Sequence, residues 1–266
     1  MAIPAGLQQG ASGRYDFLIQ IPEARDARAG VRAMVYVPRL PAGQKAKERP
    51  VIVFFHGSTR DRTYYSKKVD YMTRRADRDG FILISVQNWW SFTDYTESIR
   101  DSRRAVNSLL WRLADESLIK GNAVYATGFS AGGLVALMTV HNSLPESGVV
   151  ARQKPYDYYP YAGAASFKGN FYQGIGTFVL NPLIDPEPAV LQAHYRRQYA
   201  GKLLYLTVGG PKDAARVQKQ ALEARDFLQN YLGLEVVYRS FPAEGHSLSE
   251  SNWQPFWQLV VSRLAR

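Results

Sequence analysis

The stretch from Asn122 to Met138, NAVYATGFSAGGLVALM, limits what this chain can fold into more than any other. Ala123 to Thr127 reads as a short β-rich strand, and Gly128 to Gly132 as a turn. The residues beyond read as a helix with Leu134, Leu137 and Met138 on one face. A serine held between glycines at a strand-to-helix turn stands with its hydroxyl exposed on strained backbone, so the side chains around it must be nearly absent. Gly128 and Gly132 meet that demand, and Gly133 lets the helix lie close to the sheet. As a bare pattern, G-x-S-x-G is weak. Between a strand and a helix, with suitable partners downstream, it is specific.

The segments on either side repeat the alternation. Tyr15–Ile21 and Val31–Val37 read as an antiparallel hairpin, and Val51 to Phe55 as a fully apolar strand of the kind buried on both faces of a parallel sheet. A helix is expected over Ser66–Asp79, closed by Gly80, then a strand over Phe81–Val86 and a helix from about Thr96 to Ala114. Ala162–Phe167 and Leu203–Val208 read as further strands. A helix carrying Val217, Ala221, Ala224 and Leu228 follows, then a last strand over Leu234–Phe241 and a terminal helix with Trp253 and Val260. Residues 169–200 read as irregular apart from a short helical stretch near Val190–Arg197. Strands alternating with helices in this way predict an α/β fold with a mostly parallel, doubly wound sheet.

The chain has 266 residues, 46% of them apolar, enough for one large core. We therefore expect a single domain over residues 14–266, preceded by a flexible N-terminal arm over 1–13. No apolar run approaches the roughly 18 residues that a membrane span requires. Met1-Ala2-Ile3-Pro4 lacks the charged leader and apolar stretch of a signal peptide. With no cysteine there are no disulfides, no thiol chemistry and no cysteine-ligated metal, and the compartment stays open. The net charge is +10, but the basic residues are dispersed. The knots at Lys67-Lys68, Arg74-Arg75, Arg103-Arg104 and Arg196-Arg197 read as a solvated cationic surface, not as a nucleic-acid-binding patch.

In an open α/β sheet, chemistry gathers beyond the carboxyl ends of the strands. Ser130 supplies a hydroxyl there, which needs a base to become a nucleophile. Of the four histidines, His246 lies in a glycine-containing loop after the last strand, and the order serine, acid, histidine puts the base there. His141 is about three helical turns beyond Ser130 and too far along the axis. His194 falls in the irregular segment, and His56 is expected to bond within its own loop. Asp213, after a Gly-Gly-Pro-Lys loop one strand before the histidine, is the favoured acid to orient the imidazole. Asp185 is its competitor, and Glu244 stands too close in sequence to His246 to reach behind the ring. The oxyanion hole would take one amide from Ala131 and another from the His56-Gly57-Ser58 turn, most simply Ser58, with Thr59 second. Tyr64, Tyr65, Trp89 and Trp90 follow sheet-end positions and are candidates to line an acyl or aryl pocket, unless they simply pack under loops.

Pro50-Val-Ile-Val-Phe-Phe-His-Gly57, Arg78-Asp-Gly-Phe-Ile-Leu-Ile84, Val124 to Gly133, Val208-Gly-Gly-Pro-Lys-Asp213 and Gly245-His246 together resemble the α/β-hydrolase superfamily. More narrowly, they resemble its polyhydroxybutyrate-depolymerase and feruloyl-esterase branch, over roughly residues 30–250. The resemblance implies a cofactor-free, metal-free carboxylic-ester hydrolase with Ser130 as nucleophile, Asp213 as acid and His246 as base. Two departures keep the substrate open. This chain has no cysteine after its His-Gly pair, and Val86-Gln87-Asn88-Trp89-Trp90 replaces a proline-containing turn. The expected function is a serine esterase acting through an acyl-enzyme on a small, aryl or hydroxyacyl ester. The rivals are an amide or peptide hydrolase with the same triad, and a non-catalytic ligand-binding protein of the same fold. Oligomeric state is not legible in these residues.

Overall fold

In the computed structural model the described residues are 2–21, 30–41, 43, 45–59, 61–87, 95–143, 156–169, 171 and 188–265. The apolar runs assemble into an eight-stranded sheet: β1 (Gly13–Ile19), β2 (Val31–Val37), β3 (Val51–Phe55), β4 (Ile82–Val86), β5 (Val124–Phe129), β6 (Gly163–Phe167), β7 (Leu203–Gly209) and β8 (Val237–Phe241). Their order across the sheet is β1-β2-β4-β3-β5-β6-β7-β8. β2 runs antiparallel to β1 and to β4; every other pairing is parallel. β3 and β5 lie side by side at the centre, with Phe55 opposite Gly128. That register brings the loop after β3 next to the serine turn after β5.

Among the described residues, the longer helices around the sheet are α1 (Asp70–Asp79), α2 (Tyr95–Asp115), α3 (Ala131–Asn142), α4 (Pro188–Gln198), α5 (Ala215–Asp226) and α6 (Glu250–Leu264). Successive strand residues point to opposite faces, and the two faces have separate cores. Val51, Val53 and Phe55 share one core with Val106 and Leu110 of α2 and Leu134 and Val135 of α3. Ile52 and Phe54 face the other way, toward Met72 and Ala76 of α1 and Trp253, Phe256 and Val260 of α6. Trp253 is fully buried, its ring 5.5 Å from Phe81 and 5.8 Å from Phe167. Burying an apolar side chain of Phe size contributes roughly 1.5–3 kcal/mol, so this aromatic cluster fastens α6 firmly to the sheet. Gly80 closes α1 with a left-handed φ of 75°, as the sequence suggests.

Several expectations change in the structure. The N-terminal segment is not a free arm. Ala5–Gln8 form a turn of helix, and Ile3 and Leu7 are buried in the core shared by α2 and α3. One apolar pair four residues apart is too short a pattern to register as a helix. β1 begins at Gly13 and the last strand only at Val237. The basic knots are also not uniformly solvated. Arg75, Arg103 and Arg104 are buried. Arg75 donates to Glu250 at 2.6 Å and lies over the Trp253 ring, and the Arg104 guanidinium stands 3.2 Å from Asp157. Among the described residues, no helix is long and apolar enough to cross a membrane.

Candidate active site

The serine turn forms as its glycines require. Ser130 closes β5 and caps α3 with φ 56° and ψ −124°, a left-handed conformation rare for a residue with a Cβ. Its amide donates to the Phe167 carbonyl of neighbouring β6 at 3.0 Å, which holds the turn against the sheet. The surroundings leave no room for substituents. A Cβ on Gly128 would stand 1.9 Å from the Gly132 carbonyl oxygen, and one on Gly132 would stand 2.0 Å from that of Phe55.

The loops after β7 and β8 bring the other two groups to this turn. His246 Nε2 lies 2.9 Å from Ser130 Oγ, and His246 Nδ1 lies 2.9 Å from Asp213 Oδ1. Because a carboxylate only accepts, Nδ1 carries the proton and Nε2 is free to accept from the hydroxyl. The Asp213 side chain is fully enclosed, and its Oδ1 also accepts from the Ala214 amide at 2.8 Å. A buried carboxylate needs such partners, so the carboxylate and the imidazole fix each other. The Phe129 ring packs 4.8 Å from the His246 ring and supports it from the strand side. Glu244 reaches elsewhere, to Lys168, and His141 is buried against Tyr199. Asp185 lies outside the described residues.

Ala131 is the first residue of α3, where backbone amides and the helix dipole favour negative charge. The His56-Gly57-Ser58 turn packs on the elbow: a Cβ on Gly57 would stand 3.2 Å from Ser130 Cβ. Ser58 is exposed at the mouth of the site, and the Thr59 hydroxyl accepts from the Asp61 amide within its own loop. Tyr64 is half-buried, its ring 4.9 Å from the His56 ring. Tyr65 does not line the site; it is buried in the core beside α1. Trp89 and Trp90 lie outside the described residues.

His56 Nδ1 donates to the Gly57 carbonyl at 2.8 Å. Burial pushes its imidazole from 6.5 down to about 4, against the opposing pull of that hydrogen bond and of Asp61. The unfolded chain therefore takes up this proton before the folded one does. Stability is complete above pH 6.5 and falls by about 3 kcal/mol as pH drops from 6.5 to 4. Urea denaturation at pH 7 and pH 4.5 should show a slope that flattens in His56→Gln. An unchanged slope would assign the acid sensitivity elsewhere.

The signal that sequence reasoning missed is Lys168. It follows β6 directly, at the same carboxyl edge of the sheet, yet its side chain is fully buried and paired with Glu244. No local pattern marks a lysine as buried.

Sheet order, serine elbow and the loops carrying Asp213 and His246 define one class: the chain has the α/β-hydrolase fold. Within that class, residues 36–152 match the family model described as BD-FAE. Among solved structures, the Pyrobaculum calidifontis esterase is similar at 15% identity and a TM-score of 0.61, covering 97% of this chain and 88% of that one. A bacterial heroin esterase is similar at 16% identity and a TM-score of 0.62, covering 97% and 85%. A ferulic acid esterase is similar at 12% identity and a TM-score of 0.58, covering 96% and 98%. No curated protein matches the chain.

Proposed function

We propose that this chain is a serine carboxylic-ester hydrolase working through an acyl-enzyme. The observation that carries the reading is the unbroken hydrogen-bond chain Asp213–His246–Ser130, with both links at 2.9 Å. Ser130 Oγ attacks the ester carbonyl carbon while His246 Nε2 takes its proton. The amides of Ala131 and Ser58, with Thr59 as the alternative second donor, hold the developing oxyanion at the start of α3. His246 returns the proton to the departing alcohol, then takes one from the water that attacks the acyl-enzyme and gives it to Ser130 Oγ as the carboxylic acid leaves. Asp213 holds the imidazole tautomer throughout and stabilises the imidazolium. Every group the cycle uses is a side chain or amide of this chain, so we propose no cofactor or metal.

The BD-FAE match and the fold shared with a ferulic acid esterase favour small acyl or aryl esters as substrates. Tyr64, its ring 4.9 Å from that of His56, is a candidate wall of that pocket; Trp89 and Trp90, outside the described residues, are proposed as substrate-binding residues from their sequence position alone.

Labelling with a fluorophosphonate, read by intact mass, tests the nucleophile. One adduct per chain, mapped to Ser130 and absent from His246→Ala, is expected. Turnover of p-nitrophenyl acetate and methyl ferulate should exceed that of the matching anilide by at least 10²-fold. Equal turnover would make the chain an amide hydrolase. A folded protein that takes no label would sink the catalytic reading altogether.

A further inference from the structure

We propose that Lys168 and Glu244 are positioning residues, an ion pair between a buried lysine and a half-buried carboxylate that fixes the loop carrying His246. His246 hangs from β8, an edge strand whose residues are exposed or half-buried, so the strand itself holds the base weakly. The anchor comes from β6. Lys168 is fully enclosed, and its Nζ donates to Glu244 Oε2 and to the Gly245 carbonyl, both at 2.6 Å. Its backbone adopts φ 49°, unusual for a side-chain-bearing residue, and its amide donates to the Thr207 carbonyl and hydroxyl on β7.

Glu244 is the hub. Oε1 accepts from the hydroxyls of Ser249, at 2.8 Å, and Ser251. Oε2 accepts from Asn252 Nδ2 at 2.7 Å as well as from Lys168. Four donors saturate the four acceptor positions of a carboxylate. Burial alone would raise this carboxyl, but hydrogen bonds from Lys168, Ser251, Ser249 and Asn252 hold it at about 2, so it is ionised at working pH. The main chain extends the network to the acid. The Gly210 amide donates to the Glu244 carbonyl at 2.8 Å, and the Asp213 amide donates to the Gly210 carbonyl at 2.8 Å. The loops of acid and base are thus joined at Glu244, and Lys168 joins both to the strand beside the elbow.

Burying an ammonium is costly, and removing one partner of a buried pair is worse than removing both. A staple that only stabilised the fold would change Tm and leave the turnover of folded molecules alone. A positioning pair changes turnover itself, because small displacements of a base cost rate steeply. The turnover arm of the test rests on the ester-hydrolase reading. In Lys168→Met, with active sites counted by fluorophosphonate, kcat on p-nitrophenyl acetate should fall at least tenfold while KM shifts less than twofold. The double variant Lys168→Met with Glu244→Gln removes both charges. It should recover most of the lost Tm and keep the low kcat.

The second arm needs no substrate. Proton NMR on the apo protein reads the His246 Nδ1 proton, assigned by its loss in His246→Gln. It should be sharp in the wild type and broadened in the double variant. A wild type without turnover would sink the ester reading while this signal still tests the pair. A folded double variant with the wild-type His246 signal, and wild-type kcat wherever there is turnover, would overturn the inference.

Discussion

Ester turnover should fall on the order of 10⁵-fold when Ser130 is replaced by Ala, with the protein still folded. On the proposed mechanism the hydroxyl is the only atom that bonds to substrate, so nothing replaces it. At about 1.4 kcal/mol per decade the loss amounts to about 7 kcal/mol of transition-state stabilisation. The fold gives up little. The hydrogen bond from the Ser130 amide to the Phe167 carbonyl does not involve the side chain, and alanine meets the same φ of 56°. Adding His246→Ala should cost less than tenfold more, since base and nucleophile act as a unit. Steady-state kinetics on p-nitrophenyl acetate beside thermal melts would check this. A Ser130→Ala protein retaining a tenth of the activity would place the nucleophile elsewhere.

Gly132→Ala should fail in the opposite way, by losing the fold. Its Cβ would stand 2.0 Å from the Phe55 carbonyl oxygen and 2.6 Å from that of His56. Both are backbone atoms of β3 and its loop, at the centre of the sheet, and cannot swing aside. We expect a cost of about 4 kcal/mol or more, much of the 5–15 kcal/mol that holds a typical domain together. Gly201→Ala is the control. Nothing lies within 4 Å of its Cβ position, and only its φ of 74° opposes the change, at about 1 kcal/mol. Soluble yield and urea midpoints would compare them, and a Gly132→Ala protein as stable as Gly201→Ala would contradict the packing argument.

The central fold was legible because its signals are local. Val51 to Phe55 is buried along its whole length, as a fully apolar run announces. That Ser130, Asp213 and His246 would come together was legible because each lies in the loop after a strand pattern, and a parallel sheet gathers all such ends on one side. The buried cations were not legible. Arg75 finds Glu250, Arg104 finds Asp157 and Lys168 finds Glu244 only when distant segments meet. A charged residue's neighbours in sequence say nothing about such a partner, so Arg75 and Arg104 looked like parts of a solvated face and nothing marked Lys168. Tyr65 misled for a related reason. Its position after β3 suggested a pocket wall, but the chain turns it inward against the α1 face. Glu244 pairs with Lys168, a partner that could not be foreseen from spacing.

Ser130 and His246 belong to parts of the molecule that should loosen at different free energies. Ser130 rises from β5, flanked by β3 and β6 deep in the sheet, whereas His246 follows β8, paired only with β7. Amide hydrogens exchange most slowly in central strands and fastest where a segment can detach by itself. On warming, β8 and its loop should part from the sheet while the elbow is still intact, so loss of ester turnover is expected to run ahead of melting and to reverse on cooling.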